Sequence, residues 1–224
     1  MKKRRFYTEL AYVIGLICLA LGTAFIERTG FGVSMVVAPA YVLHLKASQF
    51  LPFFSFGMAA YTLQAAILLL MMLLLRRIKL SYFFSFVTAV LYGLALDASM
   101  SVISLIPTGG LVLNIVFYAL GMLLCCSGVS LLFHTYIPPE AYELFVKEVS
   151  QKFHLNINKL KTVYDCSSCV LSILLSLLFF GRLHGVGPGT VVTALVNGTL
   201  IGLLSKRFEK LWSFEDALPF KKYF

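Results

Sequence analysis

Six apolar runs decide what this chain can become. They cover about residues 8–26, 50–75, 80–105, 111–134, 163–180 and 190–205. A helix needs about 17–25 mostly apolar residues to cross the hydrocarbon of a bilayer, and the last run comes close to that length. Inside lipid every backbone polar group must be satisfied within its own segment, which excludes open strands and lipid-exposed loops. The expected fold is therefore all-α: a polytopic membrane protein of six transmembrane helices. Composition agrees, with 59% hydrophobic and 13% charged residues and a mean hydropathy of +0.88. A soluble domain carries about twice that charge fraction. The first run follows Lys2-Lys3-Arg4-Arg5 but ends at Glu27-Arg28 without a small-x-small site, so it reads as a retained span and not as a signal peptide.

The charges assign sides. With the N-terminus in the cytoplasm and six crossings, sixteen of the nineteen cations fall inside: Lys2, Lys3, Arg4, Arg5, Arg76, Arg77, Lys79, Lys147, Lys152, Lys159, Lys161, Lys206, Arg207, Lys210, Lys221 and Lys222. Only Arg28, Lys46 and Arg182 fall outside. This positive-inside bias predicts six spans with both termini cytoplasmic, and it accounts for the formal charge of +9 without nucleic acid as a partner.

Two segments are too short or too polar to cross. Residues 33–45 are apolar but interrupted by Pro39, with Ser34 as a candidate cap. Residues 138–161 begin with Pro138-Pro139-Glu140, a helix-start signal. They continue with Tyr142, Phe145, Val149 and Phe153 opposite Glu143, Lys147, Ser150 and Lys152. That pattern predicts an amphipathic helix at the cytoplasmic membrane surface or in a shallow re-entry.

The chain also repeats. A shift of 106 residues lays Tyr12, Gly15 and Gly22 on Tyr118, Gly121 and Gly128, and a shift of 105 lays Arg77 on Arg182 and Gly93 on Gly198. Each copy holds one span, a short segment and two more spans. Residues 1–110 thus form a first membrane repeat, 111–206 a second, and 207–224 a cytoplasmic tail. Three spans per repeat insert the copies in opposite directions, and inverted repeats with broken segments point to a secondary transporter with its site between the halves.

Candidate solute-binding residues follow from polar groups at membrane depth. Asp97 lies in the outer half of the third span, where a carboxylate needs a partner, and Arg28 matches it in depth. Gln64, Asn114 and Asn197 are amides that either join helices by hydrogen bonds or line a polar path with Asp97. Gly187, Gly189 and Thr190 belong to the turn Gly181–Thr190, with Thr190 as the expected N-cap of the last helix. Their backbone N–H groups either meet an anion or close a compact turn. Asp165 reads as a cap at the start of its helix. The five cysteines read as small buried hydrophobes, and no histidine stands beside them at ligand spacing, so neither metal nor cofactor is expected. With no H-E-x-x-H, G-x-S-x-G or paired-glutamate motif, no enzyme is expected.

Gly185-Val186-Gly187-Pro188-Gly189-Thr190, followed by Ala194, Gly198 and Ile201, resembles the glycine–threonine signature of the YczE/YyaS/YitT type of bacterial integral membrane protein. Pro138-Pro139-Glu140 and the basic–acid stretch Lys159 to Asp165 are similar to further parts of it, and Gly30-Phe31-Gly32-Val33-Ser34 looks like the first-half counterpart. The chain departs where that family often continues with proline, an aromatic residue and aspartate, having Met35-Val36-Val37 instead, and Glu140 stands where an aspartate is usual. The resemblance implies a multi-span plasma-membrane protein that transports a solute, without naming which. The expected function is thus a transporter or permease for a small solute, with the bilayer and that solute as partners. Two alternatives stay open: a scaffold or sensor acting through residues 138–161, and the substrate-binding subunit of a multi-component transporter. The oligomeric state is open as well, a homo-oligomer included.

Overall fold

A computed structural model describes residues 4–107 and 109–218, apart from the side chains of Ile157 and Asn158. Lys2, Lys3, Lys221, Lys222 and the turn residue Thr108 lie outside the described residues. The order is β1 (Arg4–Tyr7), α1 (Thr8–Arg28), α2 (Ala38–Ala47), α3 (Phe56–Leu75), α4 (Leu80–Ser104), α5 (Gly110–Leu132), α6 (Ala141–Phe153), α7 (Ile157–Phe180), α8 (Pro188–Leu211) and β2 (Trp212–Glu215). Among the described residues six helices are long and apolar enough to cross a membrane: α1, α3, α4, α5, α8 and the Lys159–Phe180 part of α7. The protein is an all-helical, multi-pass membrane protein whose outer surface meets lipid.

Several boundaries differ from expectation for local reasons. The second span begins at Phe56, six residues late, because Pro52 breaks the helix and the Ser55 side chain caps it by accepting the Met58 N–H at 3.0 Å. The fifth begins early, since the Asn156 side chain accepts the Lys159 N–H at 3.2 Å. Asp165 therefore lies in the third turn of α7 and caps nothing. The last helix is capped by Gly187, not Thr190. Pro188 suits the first turn, and the Thr190 hydroxyl reaches back to accept the Gly187 N–H at 3.2 Å. Ser34 contributes its carbonyl, which accepts from Val37 and Ala38, while Val37 occupies the N-cap of α2 without a side-chain cap.

The centre of the bundle is the α1–α5 crossing. Gly15 abuts Gly128, and Gly22 abuts Gly121, so the two helices run antiparallel with their backbones in contact. Small residues permit this approach, and close packing is what holds helices together in lipid. Around this pair α4 packs on α1, and α8 on α5. The short helices cross over: α2 packs on α7 and α6 on α3. One pairing lacks its counterpart. Helices α3 and α4 pack closely, with Gly57 against Gly93, whereas α7 and α8 stand apart. Gly198 on α8 accordingly faces open space.

The amphipathic helix α6 does not lie free on a surface. Ala141, Leu144 and Val149 join Leu68, Met71 and Leu75 of α3 and Tyr82 of α4 in one apolar cluster. Lys79 pairs with Glu148 at 2.7 Å, and the Lys152 ammonium donates to the Leu75 carbonyl at 2.9 Å. Phe153 is exposed and Ser150 buried, the reverse of the expected face, because Ser150 donates to the Leu155 carbonyl at 2.8 Å.

Residues 4–7 and 212–215 were not legible as strands, yet β1 and β2 pair in parallel, Arg4 opposite Trp212 and Tyr7 opposite Glu215. Phe6 stacks on Trp212 with ring centroids 4.9 Å apart. The Glu9 carboxylate accepts from the Leu218 N–H at 2.9 Å, the Ala217 N–H at 3.1 Å and the Tyr136 hydroxyl at 2.8 Å. This clasp holds both described chain ends at one end of the bundle, as an even number of crossings requires. The Arg76–Lys79 turn lies at that end, and the Gly185–Thr190 turn at the other.

Candidate functional site

The two short helices begin inside the bundle. Pro138 and Pro139 cannot donate hydrogen bonds, but their carbonyls can accept them. Ser85 donates to the Pro139 carbonyl at 2.7 Å, and Thr88 to the Pro138 carbonyl at 3.1 Å. The Ala141 N–H, one of the unpaired donors of the first turn, goes to Gln64 Oε1 at 3.0 Å. These contacts fix Glu140 between the helices, where it is 3% exposed. From the other side the chain enters α2 through Ser34–Val37. Both starts border one cavity of about 300 Å³, lined by parts of α1, α4, α5, α6, α7 and α8. Of its lining, Thr162 of α7 and Ala194 and Gly198 of α8 are exposed.

The cavity lining mixes polar and apolar side chains. Its charged lining is three carboxyl groups, Glu140, Glu143 and Asp165, and one cation, Lys161. Tyr92, Thr23 and Asn197 continue the polar lining, and Leu19, Ile26 and Val129 form hydrocarbon wall. Burial pushes the Glu140 carboxyl up to about 8, reinforced by the negative charge of Glu143 and opposed by hydrogen bonds from Gln64 and Tyr142. Burial likewise moves Glu143 up to about 7, against the attraction of Lys161. At neutral pH Glu140 is therefore held mainly as the neutral acid. Its Oε1 and the Oδ1 of Asp165 are buried without a hydrogen-bond partner among the described residues. Such groups are costly and uncommon in a finished core. The Lys161 ammonium lies 5.6 Å from the centre of the Tyr142 ring, a cation–π distance.

At the far end the glycine turn closes on the first half of the chain. The Gly189 N–H donates to the Phe31 carbonyl at 2.8 Å, the Thr190 hydroxyl to the Val33 carbonyl at 2.7 Å, and the Val33 N–H to the Gly185 carbonyl at 2.9 Å. Gly32 has φ +101°, a conformation that favours glycine, and a Cβ there would stand 2.5 Å from the Gly187 nitrogen.

Residues 6–206 match the model of a family described as a family of unknown function (DUF6198). The match takes in five of the six membrane helices whole and the sixth as far as Lys206. The chain belongs to that family. No curated protein and no solved structure matches it.

In this DUF6198 member the residues expected from sequence divide. Asn197 lines the cavity and accepts a hydrogen bond from the Cys126 thiol at 3.4 Å. Gln64 stands beside it, bordering a water-sized void shared with Glu140 while holding the start of α6. Asp97 is elsewhere: its carboxylate accepts from the Gly57 N–H at 2.7 Å and the Ser55 hydroxyl at 2.5 Å, so it caps α3. The expected partner Arg28 instead donates to the Ser104 and Ile106 carbonyls at the end of α4. Asn114 lies outside the cavity lining, its Oδ1 buried without a partner among the described residues. Gly187, Gly189 and Thr190 form the closing turn, in which the Gly187 N–H donates to the Thr190 hydroxyl, the Gly189 N–H to the Phe31 carbonyl and the Thr190 hydroxyl to the Val33 carbonyl. Sequence reasoning missed Glu140, Glu143 and Lys161 as lining groups. The available signal was a Pro-Pro-Glu start with no charged partner within four residues.

Proposed function

We propose that this chain is a plasma-membrane transporter of a small solute, an inverted repeat whose halves enclose the solute site in the cavity bounded by Glu140 and Asn197. The observation that carries the reading is the meeting of two short-helix starts at one partly polar cavity, with a carboxyl in its wall whose buried Oε1 has no hydrogen-bond partner among the described residues. Transporter sites are built at such broken segments near the membrane midplane.

Pairwise contacts support the repeat. Under the 106-residue shift Gly15·Gly128 becomes Gly121·Gly22, and both pairs are in contact. The Ser85–Pro139 hydrogen bond has its counterpart in Thr190–Val33 at shifts of 105 and 106. Tyr12 reaches Thr88 at 2.8 Å as Tyr118 reaches the Gly189 carbonyl at 2.5 Å, one turn from Thr193. Both termini are assigned to the cytoplasm on the charge bias, and the likeness to the YczE/YyaS/YitT type belongs to the same proposal. A scaffold acting through α6 has less support, because the apolar face it would offer a partner is already covered by α3 and α4.

Gly198 gives a test that needs no known solute. It borders the cavity, and a side chain there meets nothing within 4 Å. Gly198→Cys, in a chain whose native cysteines are replaced by serine or alanine, is reconstituted and exposed to a membrane-impermeant thiol reagent from either face. A transporter presents the site to both faces in turn, so the cysteine reacts from both. Protection from either face rejects alternating access.

A further inference from the structure

We infer that the cavity takes a small organic cation of the alkylammonium class, and that Glu140 holds this cation as a carboxylate after giving up a proton. This deepens the transport reading and rests on it for access to the cavity. Four observations lead here. Glu140 borders the cavity, is 3% exposed, and its Oε1 has no hydrogen-bond partner among the described residues. Three carboxyls and one cation line the cavity, so the lining carries an acidic excess. Lys161 already sets an ammonium 5.6 Å from the Tyr142 ring centre, which shows that this wall accommodates such a group. Leu19, Ile26 and Val129 supply hydrocarbon for an alkyl chain, and about 300 Å³ is the space of roughly ten waters.

The groups around Glu140 come from every neighbouring element. Tyr12 on α1, Tyr92 on α4 and Cys125 on α5 are phenols and a thiol, which carry no charge at neutral pH. On α6 it faces Tyr142 and Glu143, and on α7 Tyr164, Asp165 and Lys161. Lys161 acts electrostatically on Glu143, whereas the charge that bears most on Glu140 is the like charge of Glu143. In the exchange the Glu140 O–H bond breaks, the proton leaves to water, and the ammonium takes its place beside the carboxylate. One positive charge replaces another, so the net charge of the cavity does not change. An anion would have to rely on Lys161 and the start of α2. The first N–H of α6 is already engaged by Gln64.

The test uses the purified full chain in detergent, lightly buffered near pH 7 with a soluble pH dye, and n-butylammonium as the probe. Wild-type protein should release close to one proton for each cation bound. Glu140→Gln should release none and bind at least about thirtyfold more weakly. Glu140→Asp should keep proton release, which guards against a folding defect, and Glu148→Gln, outside the cavity, should behave as wild type. Unchanged binding in Glu140→Gln, or binding without proton release, overturns the inference. So does tight binding of acetate that Lys161→Met abolishes. If butylammonium does not bind while Gly198→Cys still reacts from both faces, this inference fails alone and transport stands. If that cysteine is protected, transport fails whatever butylammonium does.

Discussion

Replacing Gly22 by alanine tests the contact on which the bundle is centred. The added Cβ would stand 2.6 Å from three atoms: the Cys125 nitrogen, the Cys125 sulfur and the Gly121 carbonyl oxygen. That is about 0.8 Å short of the 3.4 Å at which ordinary contact begins. Two of the three are backbone atoms that cannot rotate away, so α1 and α5 must separate along their whole crossing. Overpacking of this kind costs about 1–3 kcal/mol, and rigid neighbours place it in the upper part, about 2–3 kcal/mol. Alanine also favours a helix over glycine by about 1 kcal/mol, which offsets part of that. Gly202→Ala on α8, where a Cβ meets nothing within 4 Å, carries the same propensity gain and no clash. The two variants should therefore differ by about 2–3 kcal/mol, or about 4–12 °C in unfolding midpoint for a chain of this size. Thermal unfolding in mild detergent, read by a thiol-reactive dye as Cys125 and Cys126 become accessible, measures the difference. Gly128→Ala, whose Cβ would meet the Gly15 oxygen at 2.6 Å, should behave like Gly22→Ala. Equal midpoints for Gly22→Ala and Gly202→Ala would refute the antiparallel glycine crossing.

Three further outcomes are expected. Asp97→Ala removes two hydrogen bonds to a carboxylate at the start of α3 and should lower stability by about 1.5–3 kcal/mol; a loss under 0.5 kcal/mol in chemical unfolding would contradict the capping role. Glu140 binds its proton more tightly folded, at about 8, than unfolded, at 4.5, so its contribution favours the fold below about 4.5 and is lost as pH rises through 8. The midpoint advantage of Glu140→Gln over wild type should therefore grow from pH 5 to pH 9, and parallel curves would count against the buried acid. Glu9→Ala removes the acceptor of the Ala217 and Leu218 N–H groups, so amide exchange at both should quicken by at least about tenfold, while Gly189, bonded to Phe31 at the far end, keeps its protection.

What the sequence disclosed was what local chemistry controls. Span length, charge at the turns and the two interrupted segments depend on neighbours along the chain, and all six membrane helices stand close to their expected positions. Gly15 and Gly22, spaced for close helix packing, meet Gly128 and Gly121 across the α1–α5 crossing. Long-range partners were hidden. Asp97 needed a donor, but nothing in the letters points from it to Ser55 and Gly57, about forty residues away. Glu140 read as an ordinary helix start because its burial is produced by Ser85, Thr88 and Gln64, which reach it from other helices. Four-residue strands at either end carry too little pattern to be read alone.

Helix α8 is anchored at both tips, through Gly189 and Thr190 at its beginning and through β2 at its finish, although little of its length is covered by other helices. Helix α7, among the described residues, rests chiefly on the short helices α2 and α6. Any change in the width of the slot between α7 and α8 therefore falls to α7. Lys161 and Asp165 ride on it, so widening the slot would draw the one cation in the cavity wall away from Glu143.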